Sequence, residues 1–319
     1  MKLLFVLLMA LVMAMPASAK PSFDTWLKNF KEKAAKQGIS QSTLTIALAN
    51  LSPNEKVIDL DRNQPSSKWT FAKYKEKIVH PDRIRRGREL YRKHYKTLKA
   101  TEAKYGVPAE VIVALWGIES NFGSNTGGFD VIRSLATLAW DGRREKLFTQ
   151  ELIDALKIID HGHVTKANMK GSWAGALGQC QFMPSSFNRL AQDGNGDGKK
   201  DIWGTEADVF ASAANYLSRS GWKPGYRWGR EVVIPKNFSK NMEGLKIKKP
   251  LSEWQKIGVR LPGGANLPQA SGMTASLVAP DGLGGPTYLV YDNYRAIMKW
   301  NRSTYFATSV GLIADQIAQ

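Results

Sequence analysis

Cysteine is almost missing from this chain. Cys180 stands alone, so no disulfide can form within it and the fold must rest on a packed core. Four histidines and that single thiol leave no zinc-type His/Cys cluster. Beyond residue 15 no apolar run reaches membrane-spanning length. No internal repeat and no low-complexity tract is present, which excludes solenoid arrays. Acidic residues are few beside basic ones, 28 against 45, and the formal charge is +17. Such a balance favours anionic partners. No compact nucleic-acid motif accompanies the charge, so nucleic acid is not the expected partner.

Aromatic residues are plentiful: ten Trp, ten Tyr and twelve Phe supply core area and faces on which sugars stack. Residues 1–19 read as a cleaved export leader. Lys2 precedes 13 apolar residues, Leu3 to Met15, and Pro16 with Ala17-Ser-Ala19 fits the cleavage rule. No cysteine follows the cleavage point, which excludes a lipid anchor there. For an exported chain the anionic partners are cell-wall polymers or outer-leaflet headgroups, and a monomer is the default expectation.

The remaining chain reads as mainly α (α+β). Residues 20–80 form an N-terminal helical segment, with 51–69 as loop. Residues 81–225 form a helical core in which Asp82 to Tyr105 is expected to be one long helix. A helix starts at Pro108, and others cover Phe148–Ile159, Ser185–Ala191 and Glu206–Ser218. Residues 226–292 read as a small β-rich subdomain, with strands expected at Glu231–Ile234, Gly258–Leu261, Ala275–Val278 and Tyr288–Tyr291. Residues 293–319 return to helix.

The segment Val111 to Gly123 carries the chemistry. Ile112, Leu115, Trp116 and Glu119 share one helix face by their spacing. A helix apolar on most sides is buried, and burial disfavours an ionised carboxylate. The negative end of the helix dipole pushes the same way. A carboxyl kept protonated near neutral pH suits glycosidic cleavage, giving a proton to the leaving oxygen and later taking one back. From pattern alone, a glutamate that caps the helix or pairs with an arginine fits equally well.

Several motifs in order resemble the membrane-bound lytic transglycosylase B family: Trp116-Gly-Ile-Glu-Ser-Asn-Phe-Gly123, Arg133-Ser-Leu-Ala-Thr-Leu-Ala139, Asp141-Gly-Arg-Arg144, Gly171 through Ser186, Asp201-Ile-Trp203, Ala214-Asn-Tyr-Leu217 and Tyr294 to Asn301. The resemblance spans roughly Lys68 to Gly311. It implies a goose-type lysozyme-like helical core and a periplasmic enzyme acting on peptidoglycan glycan strands. It implies cleavage between N-acetylmuramic acid and N-acetylglucosamine with a 1,6-anhydromuramyl product. The family's single acid/base falls on Glu119. Ser172 and Gln181 match positions lining the glycan cleft, and Arg143 and Arg144 match a basic pair near saccharide or peptide-stem subsites. Tyr216 and Tyr74 match cleft tyrosines, and Asn301, with Tyr305 or Phe306, matches a C-terminal strip beside the cleft. Trp300 stands where the family often has tyrosine. A hydrolytic muramidase and a non-catalytic peptidoglycan-binding protein are the alternatives. Asp130, Asp141 and Glu145 lie near enough in sequence to supply a second carboxylate.

Asp193-Gly-Asn-Gly-Asp-Gly198 matches the start of an EF-hand loop, with Asp193, Asn195, Asp197 and Asp201 as oxygen donors. Gly204 stands where the bidentate acid belongs. A structural calcium ion and a metal-free Asp/Gly turn fit equally; the chemistry itself needs no cofactor.

Overall fold

The computed structural model describes residues 20–64, 69–270 and 272–319, so the leader assigned to 1–19 lies outside the described residues. Helices α1 (Phe23–Lys36) and α2 (Gln41–Ala47) each begin at a serine, Ser22 and Ser40, whose hydroxyl accepts a backbone N–H three residues on. The segment read as loop contains a helix, α3 (Glu55–Arg62). Its N-cap Asn54 makes no side-chain cap, and burial of Val57, Ile58 and Asp61 holds it instead. Tertiary packing thus overrides the loop-like composition.

After α4 (Phe71–Ile78), the single helix expected from 82 to 105 is two: α5 (Pro81–Lys93) and α6 (Tyr95–Tyr105). The break is at His94, whose backbone leaves the helical region (φ −102°, ψ 17°). Its ring packs edge-on against Trp116 at 6.0 Å and Phe210 at 5.5 Å. A Lys/Arg-rich surface pattern continues unchanged across the break and gives no sign of it.

The centre of the body is α7 (Ala109–Ser120), with nine of its twelve residues buried. Full burial of one Leu, Ile or Val side chain contributes roughly 1.5–3 kcal/mol, so this short helix is held by its surroundings rather than by propensity. Helices α5, α6 and α11 (Glu206–Arg219) pack against it, and α9 (Glu145–Asp160) joins α8 (Val131–Asp141) to α10 (Pro184–Leu190) in the same core. Helix α8 has no counterpart in the sequence reading; its N-cap is Asp130, whose carboxylate accepts the Arg133 N–H at 3.1 Å. Strands β1 (Phe129–Asp130) and β2 (Lys170–Gly171) pair antiparallel and pin the Gly171 segment beside α8.

A second sheet contains β3 (Gly229–Val232), β4 (Lys249–Pro250), β5 (Thr274–Val278) and β6 (Thr287–Val290), ordered β3-β6-β5-β4 and antiparallel throughout. It packs on α12 (Leu251–Lys256) around its own small core, where buried Trp254 donates its indole N–H to Ala275 O at 3.0 Å. The strand expected at Gly258–Leu261 is only an isolated bridge between Val233 and Arg260. Helix α13 (Asp292–Trp300) then leads into α14 (Thr304–Ile317), which runs back beside α7. The architecture is the mainly α body with a small sheet that the sequence predicts.

Gly311 of α14 lets the Trp228 ring lie against the helix backbone, since a Cβ there would stand 2.2 Å from the indole. Gly311→Ala should lower unfolding free energy by about 1–3 kcal/mol. Gly284→Ala, with open space around it, should leave it unchanged. Equal urea midpoints for the two variants would contradict this account.

Candidate active site

Glu119 is the penultimate residue of α7. The chain leaves the helix through three consecutive left-handed residues, Asn121 (φ 49°), Phe122 (φ 58°) and Gly123 (φ 81°). A non-glycine residue there costs roughly 1–2 kcal/mol. Packing imposes the turn. The Phe122 ring fills the space over Gly117 and meets Trp116 edge-on at 5.5 Å. Ser120 Oγ accepts the Gly123 N–H at 3.0 Å. Gly123 is obligatory, because a Cβ would fall 2.4 Å from Gln179 Oε1. That same oxygen accepts the Trp116 indole N–H at 2.7 Å, tying α7 to the Gly171–Phe182 segment.

The Glu119 carboxyl is partly exposed, yet protein crowds it. Behind it lies a void lined by Leu115, Trp116, Gln179, Cys180, Val209 and Trp300, with no room for a water molecule. Burial pushes its pKa up to about 7, and one hydrogen bond works against that: the Trp300 indole N–H donates to Oε1 at 2.7 Å. Trp300 packs at a tilt against Tyr216 at 4.7 Å and Phe182 at 5.2 Å, and the Tyr216 hydroxyl donates to Lys299 O at 2.7 Å. Tyr74 of α4 lies within reach of the Glu119 charge; burial, and then that charge, raise its pKa. Tyr305 joins through Tyr74, ring centres 5.6 Å apart.

Glu119, Tyr74, Tyr216 and Tyr305 therefore form one connected group, completed by Trp300. Gln181 and Ser172 sit on the adjoining Gly171–Phe182 turn. The Gln181 amide donates to Thr126 O at 3.1 Å and Gly178 O at 2.8 Å, and Ser172 Oγ accepts the Ala176 N–H at 3.0 Å. Asn301 lies exposed just past α13, its side chain accepting the Ser303 N–H. Arg143 and Arg144 are placed elsewhere: both grip the carboxylate of Asp61 on α3. Among the described residues no hydrogen bond, ion pair or ring contact joins them to Glu119. The second-carboxylate candidates are also committed or distant. Asp130 binds Lys166, Asp141 pairs with Arg62 at 2.7 Å, and Glu145 is exposed. Sequence reasoning named Trp300 but left its contact open, and it gave Asp61 no role.

The match to known proteins decides the family. A family model described as "Transglycosylase SLT domain" matches residues 22–315. The chain belongs to this transglycosylase family. It is 30% identical over 257 residues to membrane-bound lytic murein transglycosylase B of Escherichia coli (strain K12), covering 80% of this chain and 68% of that one. The crystal structure of SltB3 from Pseudomonas aeruginosa in complex with NAG-NAM-pentapeptide is similar with a TM-score of 0.91 at 46% identity, covering 93% of this chain and 80% of that chain. The Escherichia coli lytic transglycosylase Slt35 in complex with calcium gives 0.79 at 29% identity, covering 92% of each. The present transglycosylase is thus a lysozyme-like lytic murein transglycosylase, a lyase acting on peptidoglycan.

In this transglycosylase the Asp193 loop is closed by its own backbone. Asp193 Oδ2 accepts the Gly198 N–H at 2.8 Å, and Asp201 Oδ1 accepts those of Trp203 and Gly204, each at 3.0 Å. Asp208, fully buried in the first turn of α11 and unnoticed in the sequence, accepts from Gly194 at 2.8 Å and Asp201 at 2.6 Å. Among the described residues no three acidic, His or Cys side chains converge as a metal cage. Gly204 brings no side-chain oxygen at the twelfth loop position, and the Asp193 and Asp201 carboxylates accept backbone amides. A cavity of about 690 Å³ lies at the opposite end of α7, around Pro108, Trp222 and Arg230.

Because burial raises the Glu119 pKa above 4.5, the native state keeps a proton that the unfolded chain releases. Its contribution to stability is complete below pH 4.5 and is lost as pH rises towards 7. Allowing for partial exposure, the loss is about 2–3 kcal/mol. Glu119→Gln should therefore melt a few degrees above wild type at pH 8, and the gap should close by pH 4.5. A gap independent of pH would refute the buried-acid description.

Proposed function

We propose that Glu119 is the only acid/base of this lytic transglycosylase and cuts the β-1,4 bond between N-acetylmuramic acid and N-acetylglucosamine without water. One observation carries the reading: a carboxyl raised to about 7, with no second carboxylate among the described residues acting on it. A hydrolase of the usual kind places two carboxyls roughly 5–10 Å apart. Here Glu119 protonates the glycosidic oxygen as its bond to the muramyl C1 breaks. The carboxylate then takes the proton from the muramyl 6-hydroxyl as that oxygen bonds to C1. The 1,6-anhydro ring closes, the acid is regenerated and no water is consumed. The nucleophile is already part of the sugar, so ring geometry supplies proximity.

Tyr74, Tyr216 and Tyr305 offer aromatic faces to the glycan, with Ser172 and Gln181 as neutral hydrogen-bonding groups. Asn301 serves at the exposed rim. Arg143 and Arg144 keep 47% and 38% of their side chains exposed over a carboxylate that is only 2% exposed. Two cations on one anion leave positive charge for a stem-peptide carboxylate further along the strand. The +17 charge suits the anionic wall. We place the enzyme in the periplasm on the strength of the leader read from residues 1–19 and of its polymer. Among the described residues no helix is long and apolar enough to cross a membrane. The Asp193 loop closes on Asp208 and requires no calcium.

Glu119→Gln should slow muropeptide release from sacculi at least about 100-fold while still sedimenting with them. Wild-type products should weigh one water less than hydrolysed ends; reducing muramyl ends would establish a muramidase instead. EDTA should leave the melting temperature unchanged, whereas stabilisation by added Ca²⁺ would show that the loop carboxylates converge on an ion.

A further inference from the structure

We infer that Trp300 is a positioning residue that assigns the catalytic proton to Oε2 of Glu119. This rests on Glu119 being the acid/base. An indole N–H donates and never accepts. It points at Oε1 over 2.7 Å, and in a protonated carboxyl the carbonyl oxygen is a better acceptor than the hydroxyl oxygen. The hydrogen bond therefore favours the proton on Oε2. After the first transfer the same indole N–H steadies the carboxylate, and Oε2 is again the oxygen left free to accept. One oxygen thus serves both half-reactions, with no rotation of the carboxyl between them. A hydroxyl in place of the indole could donate or accept and would leave both protonation sites open.

The surroundings keep this arrangement single-valued. Trp300 is the last residue of α13, wedged against Tyr216 and Phe182. The void behind the carboxyl admits no water that could replace the indole as donor to Oε1. Two other titratable groups act at this place: the Tyr74 phenol from α4 and the Cys180 thiol from the Gly171–Phe182 segment. Burial raises the pKa of each, so both are neutral where Glu119 titrates. No lysine or arginine among the described residues acts on the carboxyl directly, and Arg83 acts on Tyr74. Burial and the one N–H therefore set its titration between them.

The test reads the indole itself. Uniform ¹⁵N labelling gives one indole N–H resonance for each of the ten tryptophans. The resonance missing in Trp300→Phe is Trp300; should that variant not fold, Trp300→Tyr serves the assignment. In wild type it should shift with pH about a midpoint near 7, and in Glu119→Gln it should not titrate. Trp300→Phe keeps a ring on Tyr216 but loses the donor. Its pH–rate profile should move to higher pH by about one unit or more, with a rate loss of about 10-fold or more. A Trp300 resonance flat across pH 5–9, with Glu119→Gln inactive, overturns the inference alone. An active Glu119→Gln overturns the acid/base assignment beneath it.

Discussion

The Glu119 carboxyl rests against a wall with no room for water, and the elements around it are arranged to keep that wall dry. Leu115 and Trp116 come from its own helix, Val209 and Ala213 from α11, Cys180 from the Gly171 turn and Trp300 from the end of α13. No two of these segments adjoin in sequence. The low-dielectric side of the carboxyl opposes ionisation, while its other side stays partly exposed. Losing any one wall would hydrate the group and return it towards an ordinary glutamate.

Keeping a buried acid has structural consequences. The chain must turn away from the end of α7 at once, and it does so through two non-glycine residues in left-handed geometry. The Phe122–Trp116 contact and the Ser120 cap hold that turn in place. Strain beside the functional group, offset by packing at some distance, is the arrangement expected where chemistry and stability compete. The buried Trp116–Gln179 hydrogen bond then registers the helix end against the turn that carries Ser172 and Gln181.

Charge is used more locally than the +17 total suggests. Asp61 gathers two arginines, Asp292 holds Lys223 and Lys248, and Asp208 satisfies amides of the Asp193 loop. Most other basic side chains lie on the surface, where they act as a field rather than as contacts.

The sequence by itself determined the elements whose signal is local. Helix α7 with a glutamate at its end follows from 3.6-residue spacing, and β5 and β6 follow from short β-prone runs between turns. The grouping of Glu119 with the tyrosines was legible only through family resemblance. The tertiary structure alone decided the rest. Helix α3 exists because Val57 and Ile58 find a surface to bury against. The helix over 82–105 breaks because the His94 ring packs between Trp116 and Phe210. Asp208, outside the matched loop positions, joins Asp193 and Asp201 in organising the Asp193 turn. The hydrogen-bond partner of the Glu119 carboxyl sits 181 residues away in the chain. Periodicity reports which face of a segment is apolar; it carries no information about which distant side chain will press against that face, because that is settled only when all the faces pack at once.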